Sequence, residues 1–225
     1  MRTRLVVLAA LSAATLAAPL ALAAPAPAPQ VTDPAGDATF TATASSGAPG
    51  IPGANQAYAD VVSVTWAPTT QTVKKKTTVT GFTVTTVLSA PPTPPAGTSL
   101  VFRMLGQVNG DAATYLGPVF YTAVPTDPTQ PQSALRDNLT GVTRLTKIDL
   151  PKIEGSTITW TVPATAFPKE LKHPTTLSNL YFEVREIQDF HGQKVPDAVP
   201  ALGGASGLAT GVVDDGKSTG SFGLG

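Results

Sequence analysis

The stretch TITWTV at residues 157–162 decides the fold of this chain. A large apolar side chain occupies every second position, and a threonine stands at each position between them. Because successive side chains of a β-strand point to opposite faces of the sheet, this period of two predicts a strand with one buried and one exposed face. Threonine is β-branched and suits the solvent side of such a strand.

The same period of two recurs along the chain. It is clear in four further runs and weaker in two more, which are residues 62–66, 82–88, 100–105, 180–185, 116–124 and 142–150. Only residues 163–171 resemble a helix, and they predict one short helix. About eight short strands separated by turn signals indicate an all-β fold, an antiparallel β-sandwich, with a closed barrel as the alternative.

The N-terminus has the composition of an export signal. Arg2 and Arg4 precede an apolar run that ends in Ala-Leu-Ala, which is the charged, apolar and small-residue order of a secretory signal peptide. We therefore predict a signal peptide at residues 1–23, cleaved near Ala23, and a secreted, extracellular protein. The rest divides into an extended Ala/Pro spacer, a single β-sandwich domain and a Gly- and Ser-rich tail with at most one added strand, at residues 24–30, 31–200 and 201–225.

The composition limits the partners of the mature chain. There is no cysteine, so packing, hydrogen bonds or bound ions must replace disulfides. The 15 basic and 15 acidic residues balance, and removal of Arg2 and Arg4 leaves a net charge of about −2. This charge disfavours nucleic acid and anionic membranes as partners, because both attract basic faces. No later apolar run is long enough to span a bilayer, so we expect no membrane association after signal removal.

The segment VTDPAGD at residues 31–37 predicts a tight acidic turn. Asp33-Pro34 begins the turn and Gly36 permits a positive φ angle, so Asp33 and Asp37 can point into one small volume. Asp60, just before a predicted strand, can join them. Three carboxylates near backbone carbonyls suit structural Ca²⁺, which takes six to eight oxygen ligands. The alternative is that Asp33 and Asp37 only cap the turn through backbone amides.

Aromatic residues are the candidates for ligand contact. Trp66 and Trp160 alternate with apolar neighbours on strand faces and are predicted to lie in the core. Tyr58, Tyr115 and Tyr121 fall in loops or on less apolar faces and are the candidates for an exposed platform. Such rings stack on the faces of sugar rings through apolar contact.

No catalytic motif is recognisable, and we predict no catalytic residue. The chain has no G-x-S-x-G elbow, H-E-x-x-H, P-loop or cysteine zinc site. His173 and His191 are the two histidines, and His191 follows Asp189 near the end of a predicted strand. A hydrolase is the least favoured function, since it needs His191 beside a nucleophile or a carboxylate pair drawn from Asp60, Asp111, Glu183 and Asp189.

Three motifs resemble a known group of exported domains. DPAGD at residues 33–37 is followed by ADVVSV at 59–64, and ITWTVPATAF spans 158–167. Their order resembles exported bacterial domains of the DOMON superfamily and the ninth family of carbohydrate-binding modules, over most of residues 31–190. The resemblance implies a jelly-roll-like sandwich that binds a sugar or haem, often with structural calcium.

These features favour a secreted, non-catalytic binding module for an extracellular glycan or cell-wall polymer. This hypothesis predicts an exposed aromatic pair on a concave face. The alternative is a structural or protein-interaction domain of the cell envelope. It predicts an apolar patch or an unpaired strand edge without a sugar-sized groove.

Overall fold

The computed structural model is built almost entirely of β-strands. It describes residues 27–41, 52–94, 98–122, 131–171, 175–189, 208–218 and 220–224. The strands within these ranges are, in chain order, β1 Val31–Thr32, β2 Thr39–Thr41, β3 Pro52–Asn55, β4 Val61–Val73, β5 Lys76–Leu88, β6 Thr98–Val108, β7 Tyr115–Tyr121, β8 Gln132–Asp137, β9 Arg144–Lys147, β10 Lys152–Glu154, β11 Thr157–Pro163, β12 Thr176–Asp189, β13 Leu208–Lys217 and β14 Ser221–Gly223.

Twelve of these strands form two antiparallel sheets, which confirms the predicted sandwich. The five-stranded sheet has the order β1-β4-β5-β11-β10. The seven-stranded sheet has the order β13-β12-β6-β7-β8-β9, with β14 also pairing with β12. β2 and β3 make a separate two-stranded sheet. The described strands outnumber the eight expected, because the short ones contain too few residues to show a period of two.

The core lies between the two sheets. Trp160 on β11 packs edge-to-face against Phe120 on β7, with ring centroids 6.4 Å apart, so this contact crosses from one sheet to the other. Phe82 on β5 meets Phe222 on β14 in the same way at 6.0 Å. Trp160 and Trp66 are both fully buried, which confirms their predicted place in the core. The threonines of β11 face away from this layer, as the alternation predicts.

The predicted helix at residues 163–171 is reduced to a single 3₁₀ turn, Ala164–Ala166. Phe167 is extended, with φ −68° and ψ 145°, and it precedes Pro168. A proline disfavours the helical conformation of the residue before it, because its ring clashes with that residue's backbone. The helix expectation is therefore wrong in extent, for a reason present in the sequence. No helix in the described ranges is long and apolar enough to cross a membrane.

The C-terminal segment completes the seven-stranded sheet. β13 pairs with the second half of β12, and β14 pairs with its first residues. Phe222 and Leu224 are buried in the core between the sheets. The sequence predicted at most one added strand here, whereas the described part contains two. The predicted signal peptide at 1–23 and the first residues of the spacer lie outside the described residues.

Candidate metal centre and candidate binding face

The acidic turn follows β1 and is held by Asp60. Gly36, with φ +98°, donates its backbone N–H to Asp60 Oδ2 at 2.7 Å. Ser89 Oγ donates to the same oxygen at 2.8 Å. Asp33 N donates to the carbonyl of Val62 at 3.0 Å, which ties the turn to β4. Asp60 is fully buried, so the turn closes over a carboxylate that solvent does not reach.

Asp214 on β13 brings a further carboxylate to this turn. Carboxylate oxygens of Asp33, Asp37 and Asp214 lie within 4.8 Å of one another. Asp214 Oδ2 accepts a hydrogen bond of 2.6 Å from Val61 N, beside Asp60 at the start of β4. The structure therefore brings together the predicted pair Asp33 and Asp37, and it adds Asp214, which the sequence analysis did not single out. Asp60 lies next to these three residues and accepts the hydrogen bond from Gly36 in the turn. We call the four aspartates Asp33, Asp37, Asp60 and Asp214 the acidic cluster.

The electrostatics of this cluster favour an added positive charge. Burial raises the pKa of Asp214 to about 7, and the charges of Asp33, Asp37 and Asp60 act in the same direction against the hydrogen bond from Val61. Burial, followed by the charge of Asp37, also raises the pKa of Asp33. Neutralising the cluster therefore requires either a proton or a cation.

Two oxygens of the cluster are buried without a hydrogen-bond partner among the described residues. They are Asp33 Oδ2 and Asp60 Oδ1. A buried carboxylate oxygen without a donor is costly, and a bound cation would relieve that cost. The donor set contains only oxygen, which suits a hard ion such as Ca²⁺ rather than zinc or copper. The residues present therefore fit the calcium ion that the sequence predicted.

A second feature lies on the outer face of the seven-stranded sheet, away from the core. The central strands β12, β6, β7 and β8 place half-buried polar and aromatic side chains there. A depression of about 160 Å³ opens on this face. Six residues line it: Arg103, Leu105, Tyr115, Arg136, Tyr181 and Glu183.

Gly117 allows β7 to pack closely against β6 next to this depression. It lies on the same face of β7 as Tyr115 and is paired with Arg136 on β8. A Cβ atom at this position would collide with the backbone carbonyl of Met104 on β6. The glycine therefore permits close approach of β6 and β7, and it leaves no side chain between Tyr115 and Val119.

Glu183 lies between two arginines at the depression. Arg103 Nη1 contacts Glu183 Oε1 at 2.6 Å, and Arg185 Nε contacts the same oxygen at 2.7 Å. Burial opposes ionisation of Glu183, but the hydrogen bond from Arg185 and the charge of Arg103 outweigh it and lower its pKa. Glu183 is therefore a fixed anion that holds both guanidinium groups in place.

Arg136 is held by an aromatic ring instead. Its guanidinium carbon lies 5.4 Å from the centroid of the Tyr115 ring, and its Nη2 donates to the Tyr115 hydroxyl at 3.3 Å. That hydroxyl also contacts Thr143 Oγ1 at 3.0 Å. The Thr143 hydrogen bond, followed by Arg136, lowers the pKa of Tyr115. No ion pair joins Arg136 to a carboxylate within the described ranges.

The three predicted tyrosines occupy three different places. Tyr115 lines the depression on the outer face. Tyr121, at the other end of β7, lines a separate groove of about 580 Å³ with Leu145 and Leu150. Tyr58 is half-buried against the core, and its hydroxyl donates to Gln56 Oε1 at 2.6 Å and lies 3.2 Å from Glu186 Oε2. The second tyrosine that lines the depression with Tyr115 is Tyr181, and neither Tyr58 nor Tyr121 lines it.

The three carboxylates considered for a hydrolase whose side chains are described, those of Asp60, Asp111 and Glu183, do not converge. Asp60 is buried in the acidic cluster, Glu183 lies on the outer face, and Asp111 is exposed in the turn after β6. His173, His191 and the side chain of Asp189 lie outside the part of the chain that can be described.

The residues that the sequence analysis missed had a partial signal. Tyr181, Glu183 and Arg185 alternate with the buried Leu180, Phe182 and Val184 of β12, so their outward direction was predictable. The clustering with Arg103 and Arg136 depends on the register of β12, β6, β7 and β8, which no local pattern encodes. Asp214 had no such signal, because it lies in a Gly-rich segment.

No protein-family model, curated protein or solved structure matches this chain. The similarity to DOMON-like domains and to the ninth family of carbohydrate-binding modules therefore stays a prediction from short motifs.

Proposed function

We propose that this chain is a secreted, non-catalytic binding module that holds an extracellular glycan or cell-wall polymer on the outer face of its seven-stranded sheet. A Ca²⁺ ion in the acidic cluster braces the N-terminal turn. One observation carries the binding proposal: two tyrosines, two arginines and a glutamate line a single depression on that face.

The chemistry of this depression suits a sugar. Tyrosine rings offer apolar faces for a pyranose ring, while their hydroxyls reach polar groups. Glu183 accepts hydrogen bonds from sugar hydroxyls, and the arginines donate to sugar oxygens. Arg103 and Glu183 are held by each other, so little side-chain entropy is lost when a ligand binds.

The calcium proposal rests on the acidic cluster. Asp33, Asp37, Asp60 and Asp214 would supply the oxygens, and they come from the turn after β1, the start of β4 and β13. An ion held by these residues would join segments that are far apart in the sequence. It would raise stability because it binds only the folded chain. Such an ion would take the stabilising place that disulfides hold in many other secreted domains, although by a different mechanism.

A glycan microarray tests the binding proposal. The protein, with calcium present, is expected to bind a subset of plant or microbial polysaccharides. Tyr181→Ala is expected to lose that signal, because it removes one wall of the depression. Tyr121→Ala, which changes a tyrosine on the same sheet outside the depression, should bind as the unaltered protein does. Retention of full binding by Tyr181→Ala would show that the site lies elsewhere.

A second candidate function has a specific observation in its favour. β9 is the last strand in the order of the seven-stranded sheet, and Leu145 on β9 and Leu150 just after it are 56% and 52% exposed. An exposed strand edge with apolar neighbours suits docking of an envelope protein. Two results together would favour this function: the protein binds no glycan on the array, and it cross-links to an envelope protein. The cross-link should be lost in the Leu145→Glu variant.

A further inference from the structure

The depression on the outer face has a surplus of positive charge. Arg103, Arg136 and Arg185 surround it or lie beside it, and Glu183 is the carboxylate that pairs with two of them. On the neighbouring β13, Lys217 pairs in register with Tyr181 and Asp215 with Glu183, so these two charges cancel. The described groups around the depression therefore carry two more positive than negative charges, although the mature chain is predicted to be slightly acidic.

The arginines also have hydrogen-bond donors without acceptors. The Nε atoms of Arg103 and Arg136 are both buried and have no partner among the described residues. A guanidinium group has only donors, so it cannot satisfy another guanidinium or a lysine. These two buried donors leave part of the positive charge at the depression uncompensated, and a ligand that brings charged acceptors to the accessible part of the guanidinium groups would offset it.

Arg136 is the residue best prepared for such a ligand. Its stacking on Tyr115 and its bond to the Tyr115 hydroxyl fix the plane of the guanidinium group. A fixed planar fork matches the two oxygens of a carboxylate or sulfate. Arg103 is already engaged by Glu183, whereas no carboxylate in the described ranges engages Arg136.

We propose that the sugar bound at this depression is acidic, and that Arg136 takes its carboxylate or sulfate group while Tyr115 and Tyr181 contact the sugar ring. This inference rests on the proposed glycan-binding function and specifies the class of glycan. A uronic acid and a sulfated sugar share the same oxyanion chemistry, and the experiment below separates them. Glu183 then has two roles: it positions Arg103 and repels a second acidic group from its side of the depression.

The test uses calorimetric titration of the whole mature chain with matched trisaccharides. The probes are trigalacturonate, the neutral trisaccharide made by reducing its carboxyl groups, and a sulfated galactose trisaccharide. We expect either acidic trisaccharide to bind about tenfold or more tightly than the neutral one, since a charge-assisted bidentate contact typically contributes that much. The stronger of the two acidic probes identifies carboxylate or sulfate as the source of the oxyanion.

Variants locate the effect at Arg136. Arg136→Gln is expected to lower affinity for the acidic probe by about tenfold or more and to leave the neutral probe nearly unchanged. Arg136→Lys should recover part of the loss, because it keeps the charge without the fork. Lys75→Gln removes one positive charge at the distant β4–β5 turn and should have no effect. The thermal unfolding midpoint of each variant shows that it is folded.

Two results would overturn the inference in distinguishable ways. The first is equal affinity for the acidic and neutral trisaccharides, or an equal loss of affinity for the acidic probe in Arg136→Gln and Lys75→Gln. Either outcome would reject a preference for acidic sugars at Arg136 and would leave the proposed glycan binding standing. Absence of binding to these trisaccharides and to every glycan on the array would reject both the acidic sugar and the proposed function.

Discussion

Asp214 shows how much one buried carboxyl group affects this protein. It joins β13 to the start of β4 through the backbone of Val61, and it completes the cluster around the N-terminal turn. Its pKa, raised from 3.8 to about 7 by burial and by the neighbouring carboxylates, means that the folded chain binds a proton more tightly than the unfolded chain does. The folded state is then most favoured when this group is protonated.

The pH dependence of stability follows from that shift. The stabilisation is fully present below the unfolded pKa near 4, and it is lost as pH rises through the folded pKa near 7. In the presence of a chelator, the free energy of unfolding should therefore fall between these values by a few kcal/mol, in order of magnitude. Denaturant unfolding across this pH range measures it.

Asp214→Asn is the matched control for this prediction. An asparagine has nearly the shape of a protonated aspartate and does not titrate. The free energy of unfolding of this variant should therefore fall much less over the same pH range. Saturating calcium should also reduce the fall in the unaltered protein, because a cation replaces the proton. An Asp214→Asn curve with the same slope as that of the unaltered protein would show that other groups cause the pH dependence.

Gly117 is a second residue whose effect can be measured. Replacing it with alanine would drive a methyl group into the carbonyl of Met104, so β6 and β7 would have to move apart. We expect Gly117→Ala to lower the free energy of unfolding by about 3 kcal/mol, as overpacking in a rigid interior does. Gly223→Ala, at a position with no atom within 4 Å of the added carbon, should change it little. Equal free energies of unfolding for the two variants, measured in urea, would contradict the close approach of β7 to β6 at Gly117.

Single residues were predictable from the sequence where a local turn or alternation defines them. Asp33 and Asp37 come together because DPAGD makes a turn, and Tyr181 points outward because its neighbours are buried. Asp214 and Arg136 were not predictable, since each meets its partners through strand pairing between distant segments. The sequence therefore predicted three of the four aspartates of the acidic cluster, Asp33, Asp37 and Asp60, and only Tyr115 of the binding face.

At the scale of elements, the β4–β5 hairpin has a strained turn. Lys74 and Lys75 connect two strands of 13 residues, and their φ angles are +48° and +67°. Both positions of such a two-residue turn favour Asn, Asp or Gly, because other side chains crowd the backbone there. Lys74, Lys75 and Lys76 are all exposed and form the basic end of this hairpin.

The double substitution Lys74→Asn and Lys75→Gly should stabilise the hairpin. We expect the free energy of unfolding to rise by about 1 kcal/mol, because the strain of positive φ angles is relieved. Lys76→Gly, one residue later in β5, should instead lower it, since glycine weakens a strand. Urea unfolding compares the two, and a destabilising double substitution would mean that the lysines make contacts that outweigh the strain.

Elements were predictable where the period of two runs for several residues. β4, β5, β6, β11 and β12 follow that pattern. The helix expectation at residues 163–171 was wrong because Pro168 prevents continuation beyond Ala166. β13 and β14 were harder to predict, because their Gly-rich sequences owe their strand conformation to pairing with β12.

At the scale of the whole molecule, the acidic cluster joins the N-terminal turn after β1 to β13 near the C-terminal end of the described chain. Saturating calcium is expected to raise the thermal unfolding midpoint by roughly 5–10 °C over its value in chelator, as binding at about 100 times Kd would do. Asp60→Asn and Asp214→Asn should largely lose this rise, while Asp149→Asn, an exposed aspartate outside the cluster, should keep it. Identical thermal unfolding midpoints in calcium and in chelator would show that calcium does not stabilise the folded chain.

The central claim is that the outer face of the seven-stranded sheet recognises a glycan. Amide chemical-shift mapping of the isotope-labelled mature chain, titrated with trigalacturonate and with a neutral xylotriose, tests it most directly. We predict that the shifts concentrate in the strands that carry Arg103, Tyr115, Arg136 and Tyr181. Shifts confined to β9 and the groove of Tyr121, or no shifts with either sugar, would contradict the claim.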